Sequence, residues 1–161
     1  MSIDWLMDLK VGLVLVSANT IPVLAARVLG SRLATPVDFN HCLADGRPVF
    51  GPHKTWRGVI SGTVAAALVG SAAGLPAAIA ATMGVLALMG DLASSFAKRR
   101  SGKTSGAWVP GLDQLPEVLL PLLALKPLLP ITWADVLLIA ALFGTFGAYT
   151  SRLNDTIARR D

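Results

Sequence analysis

The sequence predicts an all-α, polytopic membrane protein with five transmembrane helices, its N-terminus outside and its C-terminus cytoplasmic. Three observations predict it. Only 15% of the 161 residues are charged and 53% are hydrophobic, whereas a soluble domain carries roughly 25% charged residues. Mean hydropathy is +0.62, and several runs approach the ~20 apolar residues that cross a bilayer core. Twelve of the fourteen lysines and arginines fall into three clusters, and five spans put all three on one side. The positive-inside rule makes that side the cytoplasm.

The spans follow in order. The first covers about residues 8–29, with Asn19 and Pro22 near its middle. Asp4 and Asp8 stand where a cleaved signal carries cations, so this run reads as a retained span. Pro22 leaves a carbonyl four residues earlier without its helical bond; helix kink and site lining are equal readings of the Asn19–Pro22 pair. The second span, 58–74, is built of Gly, Ala, Ser, Thr and Val, a composition for close helix packing. Leu75-Pro76 leaves almost no loop before the third span, 77–97, so the two form an antiparallel hairpin. The fourth and fifth, 115–131 and 134–153, are joined as tightly near "LPITWAD". The cytoplasmic loops are then 30–57 and 98–114, and the whole chain, 1–161, is one domain.

Charge supports this orientation. Arg27, Arg32, Arg47, Lys54 and Arg57 form one cluster, Lys98, Arg99, Arg100 and Lys103 a second, and Arg152, Arg159 and Arg160 a third. Only Lys10 and Lys126 lie at the other face. A net charge of +4 in such a chain speaks for anionic headgroups rather than nucleic acid. Cys42 is the single cysteine, which excludes an internal disulfide, and His41 and His53 are twelve apart in a loop, no helix-face metal spacing.

The stretch "GDLASSFAKRRSGKTSGAWVPGLDQLPE", residues 90–117, carries the chemistry. Asp91 precedes the basic cluster by about two helical turns, at membrane depth, where a carboxylate costs ~2.5–3.5 kcal/mol to insert. An acid there is a functional candidate by default; the alternative is a structural partner for Arg27 or Lys54. Ser94 and Lys98 continue the same face, a polar stripe on an apolar helix. Asp113 stands at the entry to span four, as an N-cap or a second acid, and Glu117 lies one turn deeper. Two hard carboxylates converging from two helices among cations suit Mg²⁺, which commonly borrows substrate phosphates as further ligands. The first loop, "LADGRPVFGPHKTWRG", has turn dipeptides at Asp45-Gly46 and Gly51-Pro52. Lys54-Thr55 before a helix offers a phosphate cradle, although the spacing is not that of a P-loop. Arg57 at the membrane edge can also snorkel.

"DGRPVFGPHKTWRG" and "GDLASSFAKRR…LDQ" resemble the motifs of the CDP-archaeol synthase family of membrane cytidylyltransferases. The "AN" at 18–19 followed by Pro22 is similar to that family's first-span motif, and the likeness runs from about residue 18 to about 120. Ser94, Lys98, Arg99, Pro110, Gly111 and Asp113 faintly resemble the signature of CDP-diglyceride synthases, without its His-Gly-Gly segment. The resemblance implies five transmembrane helices and transfer of CMP from CTP to a lipid phosphate with Mg²⁺. It implies Asp91 and Asp113 as metal-binding acids, with Lys54, Thr55 and Arg57 in the loop that meets the CTP phosphates. Asn19, Asp45 and Gly51 would join them in binding substrate, and Ser94, Lys98 and Arg99 would belong to the nucleotide site. The family often reads Asp-Gln-Leu-Asp where this chain reads "DQLPE"; Pro116 replaces the second aspartate, and Glu117 takes its role one position later. The expected partners are CTP, an anionic lipid phosphate (ether or diacyl) and membrane lipids, at the cell membrane, with no nucleic acid and no set oligomeric state. The rival readings are a membrane scaffold, a small transporter, or another lipid-phosphate enzyme. A scaffold has no need of acids at membrane depth, and no matched broken-helix halves mark a transporter.

Overall fold

Asp4 starts the first helix, α1 (Trp5–Leu29), by accepting the Met7 N–H at 3.1 Å. In the computed structural model, residues 4–105, 107, 109 and 111–158 are described, with side chains through residue 145. Pro110, Arg159, Arg160 and the Arg152 side chain lie outside these. Thr55 caps α2 (Trp56–Ala72) by accepting the Gly58 N–H at 3.2 Å. The turn Ala73–Pro76, with Gly74 at φ +83°, leads straight into α3 (Ala77–Arg100). The hairpin expected from Leu75-Pro76 is thus present, with α2 packed along α3. Next come α4 (Gln114–Leu125), a 3-10 turn over Lys126–Leu128, and α5 (Trp133–Ala158). Strand-like pairing among the described residues is limited to two isolated bridges in the first loop.

Packing follows from small residues. Pro22 has no N–H for the Ala18 carbonyl, and that oxygen faces Gly62, where an added Cβ would sit 2.5 Å from it. Gly84 of α3 meets Ala66 of α2, and Gly70 of α2 meets Ala80 of α3. Beyond its first turn the Gly/Ala-rich second helix is therefore a close-packing helix. Val11, Val14 and Leu15 of α1, Met83 of α3, and Val118 and Leu122 of α4 form the buried centre. Outward positions are as apolar as inward ones: Val28, Leu68 and Leu137 are 83%, 67% and 70% exposed. Water does not tolerate such a surface over many helices; lipid does.

Among the described residues, two helices, α1 and α3, are long and apolar enough to cross a bilayer. The fourth element differs from expectation. Instead of a continuous helix over 115–131, α4 has 12 residues and gives way to the 3-10 turn. Pro127 and Pro130 are the reason, because neither supplies the N–H that would continue the α-helix. At 1.5 Å per residue α4 is ~18 Å long, short of the ~30 Å hydrocarbon core. In the other direction, α3 extends three residues beyond the expected 97, so Lys98, Arg99 and Arg100 form its last turn. Cations there complement the helix dipole.

Candidate active site

The first loop is folded, not merely basic. The Val37 N–H donates to the Lys54 carbonyl at 2.8 Å, and the Trp56 N–H to the Thr35 carbonyl at 3.0 Å, so residues 35–37 run beside 54–56. Asp38 lies inside this loop, 8% exposed. One of its oxygens accepts the N–H groups of Phe50 (2.8 Å) and Gly51 (2.9 Å), and the other accepts that of Asn40 (3.1 Å). Burial pushes this carboxyl upward, but the backbone donors of Gly51, Phe50 and Asn40 outweigh it and hold it below the ordinary carboxylate range.

A latch ties the loop to the end of α3. The Arg100 guanidinium meets both oxygens of Asp45 at 2.6 Å and donates to the Pro48 carbonyl at 2.6 Å. Arg47 returns the contact, donating to the Arg100 carbonyl at 2.9 Å. Arg100 also sits 5.4 Å from the Phe96 ring centre, and Phe96 meets Phe50 edge-on. Asp45 is therefore committed to Arg100 and to the Arg47 N–H (3.1 Å) rather than turned into a cavity.

The loop delivers Lys54 to Asp91. The ammonium lies 2.6 and 2.7 Å from the two carboxylate oxygens, and both groups are about a quarter exposed. The structural alternative for Asp91, an ion pair with Lys54, is thus realised. It does not use up the acid, because Glu117 of α4 lines the same cavity as Asp91 and Lys54. Gly90 creates this proximity: a Cβ there would run into the Pro116 backbone and approach the Glu117 nitrogen to 2.7 Å. Because α3 and α4 approach backbone to backbone one residue before each acid, Asp91 and Glu117 open onto the same cavity.

These groups line one cavity of about 530 Å³. Asn19, Lys54, Thr55, Arg57, Asp91 and Glu117 all border it, so six of the residues expected from the sequence meet there. His53 also reaches the rim. Pro22 and Leu88 give the cavity an apolar flank. Thr55 presents the N-terminus of α2 to this space. Arg57 lines it while donating to the carbonyls of Gly30 (2.9 Å) and Arg32 (2.5 Å), which closes the end of α1. Asn19 donates to the Leu15 carbonyl at 3.1 Å.

The other expected residues form a second polar cluster beside it. Ser94 is buried and donates to the Asp91 carbonyl at 2.9 Å. The Lys98 ammonium is 2.5 Å from an Asp113 oxygen, close as an ion pair, while its directed hydrogen bond goes to the Ala107 carbonyl at 3.0 Å. Asp113 stands at the N-cap position of α4 without capping it; its carboxylate accepts the Val109 N–H at 2.8 Å. Arg99 donates to the Thr104 carbonyl at 2.5 Å. Gly51, at φ +101°, lies against the Ser105 hydroxyl and the Arg99 guanidinium.

Among the described residues no three His, Cys, Asp or Glu side chains converge as a closed metal cage. Asp91 and Glu117 supply two hard donors at one point. Lys54 is the cation already on Asp91, and a divalent ion completed by substrate oxygens also suits two hard carboxyls that share a cavity.

Sequence reasoning did not single out Asp38 or Gly90. Asp38-Phe39-Asn40 carries an Asx-turn signal: Asp precedes two residues that adopt positive φ, 49° and 60°. Gly90 had the weaker signal of a small residue beside an intramembrane acid.

Fold and site together define a helical membrane protein with a charged cavity between its helices and its first loop. A family model described as CarS-like, CDP-archaeol synthase, matches residues 6–82 and 75–153. A CDP-archaeol synthase of Aeropyrum pernix is 37% identical over 148 residues, 83% of this chain and 79% of that protein. One of Pyrococcus furiosus is 34% identical over 132 residues, 76% of this chain and 75% of that protein. One of Hyperthermus butylicus is 43% identical over 104 residues, and the match spans 62% of that protein's length. A solved structure of an intramembrane enzyme for archaeal membrane lipids biosynthesis superposes with a TM-score of 0.72 at 31% identity, covering 86% of this chain and 91% of that one. The chain belongs to the CarS-like CDP-archaeol synthase family.

Proposed function

We propose that the protein transfers CMP from CTP to a lipid phosphate, giving a CDP-activated lipid and pyrophosphate, as a five-span membrane enzyme whose active site faces the cytoplasm. The observation that carries this reading is that Lys54, Asp91 and Glu117 share a cavity with an apolar flank, with the Lys54 ammonium on Asp91. A lipid phosphate needs both a charged end and an apolar side, and family membership supports the reaction class.

The chemistry is an in-line displacement. A lipid phosphate oxygen bonds to the α-phosphorus of CTP, the bond from that phosphorus to the β-phosphate bridge breaks, and pyrophosphate leaves. The nucleophile is already an anion, so no strong base is needed. The barrier is the approach of one anion to another, and fixed positive charge lowers it. Lys54 stands at the cavity with its ammonium on Asp91, ready to exchange one oxyanion for another. The α2 N-terminus offers backbone N–H groups to a phosphate. Arg57 keeps that end of the cavity positive while bracing α1. Lys98 holds Ala107 and Asp113, Arg99 holds Thr104, and both add positive potential beside the site; Ser94 fixes the helix face below them. Asp45 serves the latch rather than the substrate.

Asp91 and Glu117, with Asp113 adjacent, would hold Mg²⁺. When bound, the ion neutralises phosphate charge and stabilises the leaving pyrophosphate.

The test uses purified protein in detergent with labelled CTP, Mg²⁺ and a panel of ether and diacyl lipid phosphates. Pyrophosphate release with one acceptor class, and a CDP-lipid of matching mass, is the expected result. Asp91→Asn should insert normally and lose turnover. Release with no lipid in the panel, or an active Asp91→Asn, refutes the reading.

A further inference from the structure

We infer that Asp38, a residue outside the cavity, is a positioning residue for Lys54, and that its carboxylate sets where the ammonium stands over Asp91. The inference rests on the role proposed for Lys54.

The connection is a short chain of bonds. Asp38 accepts the N–H groups of Phe50 and Gly51 at 2.8 and 2.9 Å on a single oxygen. The Gly51 carbonyl in turn accepts the Lys54 N–H at 3.1 Å. The residue before Asp38 closes the circuit: the Val37 N–H donates to the Lys54 carbonyl at 2.8 Å. Both backbone groups of Lys54 are therefore bonded to segments that Asp38 holds. The side chain then reaches Asp91 at 2.6 Å.

Burial gives the arrangement its stiffness. Asp38 is 8% exposed and Gly51 is buried, so the Gly51 N–H, once released, has no water to turn to. Gly51 is the residue this bend requires, because φ is +101° and the Ser105 hydroxyl lies 2.9 Å from where a Cβ would be, so a side chain is excluded on both counts. A neutral acceptor does not substitute well. Three donors converge on one carboxylate, and an amide has a single oxygen, with an NH₂ that would confront N–H groups. Holding a four-carbon side chain over an acid costs rotamer freedom, and on an unbonded backbone it would cost backbone freedom as well; the loop frame set by Asp38 removes the second cost.

The experiment is a double-mutant cycle in detergent, with Mg²⁺, CTP and the lipid phosphate acceptor, on wild type, Asp38→Asn, Lys54→Ala and the double variant. Turnover, KM for CTP and thermal unfolding are measured on each. Asp38→Asn should lower kcat by about 10²-fold, the order expected for a ~1 Å misplacement, with KM for CTP nearly unchanged. In the Lys54→Ala background the same substitution should cost less than about 2-fold, because the group it positions is gone. Asp38→Glu, which keeps both acceptor oxygens, should recover turnover to within roughly tenfold of wild type. If Asp38→Asn does not fold, Asp38→Glu enters the cycle in its place, and its loss should likewise vanish in the Lys54→Ala background. A full loss in both backgrounds overturns the inference and leaves the role of Lys54 intact. Lys54→Ala with wild-type turnover overturns that role itself.

Discussion

Gly90→Ala adds one methyl group where α3 crosses the backbone of α4. The new Cβ would lie 2.7 Å from the Glu117 nitrogen and closer still to the Pro116 carbonyl, whereas ordinary contact begins at 3.4 Å. The obstacle is main chain, which cannot rotate aside as a side chain can. The first turn of α4 must therefore retreat by about 0.7 Å at the Glu117 nitrogen, the difference between those two distances. Asp91 and Glu117 directly follow the two contacting residues, so the retreat separates the carboxyls. A displacement approaching 1 Å in a reacting constellation costs up to about 10²-fold in rate, and overpacking of this kind costs ~1–3 kcal/mol of stability. The assay is pyrophosphate release alongside thermal unfolding in the same detergent. Gly84→Ala is the control: its Cβ would meet the Ala66 methyl at 2.5 Å, further along α3 from the acids. It should lower the unfolding temperature comparably and leave turnover near wild type. A fully active Gly90→Ala, or equal activity losses in both variants, refutes the reasoning.

Acid stability should report on Asp38. Its folded-state pKa is depressed, so its contribution is complete above the unfolded value of ~3.9 and is lost as pH falls through the lower folded value. Asp38→Asn should be less stable at neutral pH and show a shallower fall in unfolding temperature below about pH 4; an unchanged slope refutes this. At the opposite end of the bundle, Asp8 is buried with neither oxygen hydrogen-bonded, and Asp135 and Asp4 add like charge. Asp8→Asn removes that like charge and should raise the unfolding temperature with unchanged turnover; a lower one means the carboxylate holds something. Arg100→Ala removes the latch. The exposed pair with Asp45 adds little by itself, so a marked fall in unfolding temperature assigns the loss to the carbonyl bonds of Arg100 and its Phe96 contact.

Much of the helical plan was legible, because apolar runs and caps are local properties. Pro22, Leu75-Pro76 and the Gly/Ala pattern of 58–74 each announced what the structure contains. The fourth span was misjudged because a hydropathy window averages over Pro127 and Pro130, whose effect is on the backbone and not on polarity. For the site, charge in an apolar run pointed to Asp91, and sequence adjacency pointed to Lys54. Their meeting across 37 residues, with Glu117 from a third segment, is a tertiary fact. The roles of Arg57 and Arg100 were the least legible. A guanidinium near phosphate-binding motifs reads as a ligand for anions, yet both bond backbone carbonyls. Nothing in composition distinguishes those uses. Asp38 was hidden for the opposite reason: its partners are main-chain N–H groups, which every residue has.

The latch between Arg47 and Arg100 has a mechanical consequence. It fastens the segment bearing Lys54 to the same helix that bears Asp91. Helices adjust their inclination when host lipids are thicker or thinner than the apolar stretch. Here a leaning α3 carries its own lid with it, and the ammonium and the acid travel as one piece. Turnover in vesicles of differing acyl length should accordingly stay level, with the burden of mismatch falling on the helices that carry no part of the attachment.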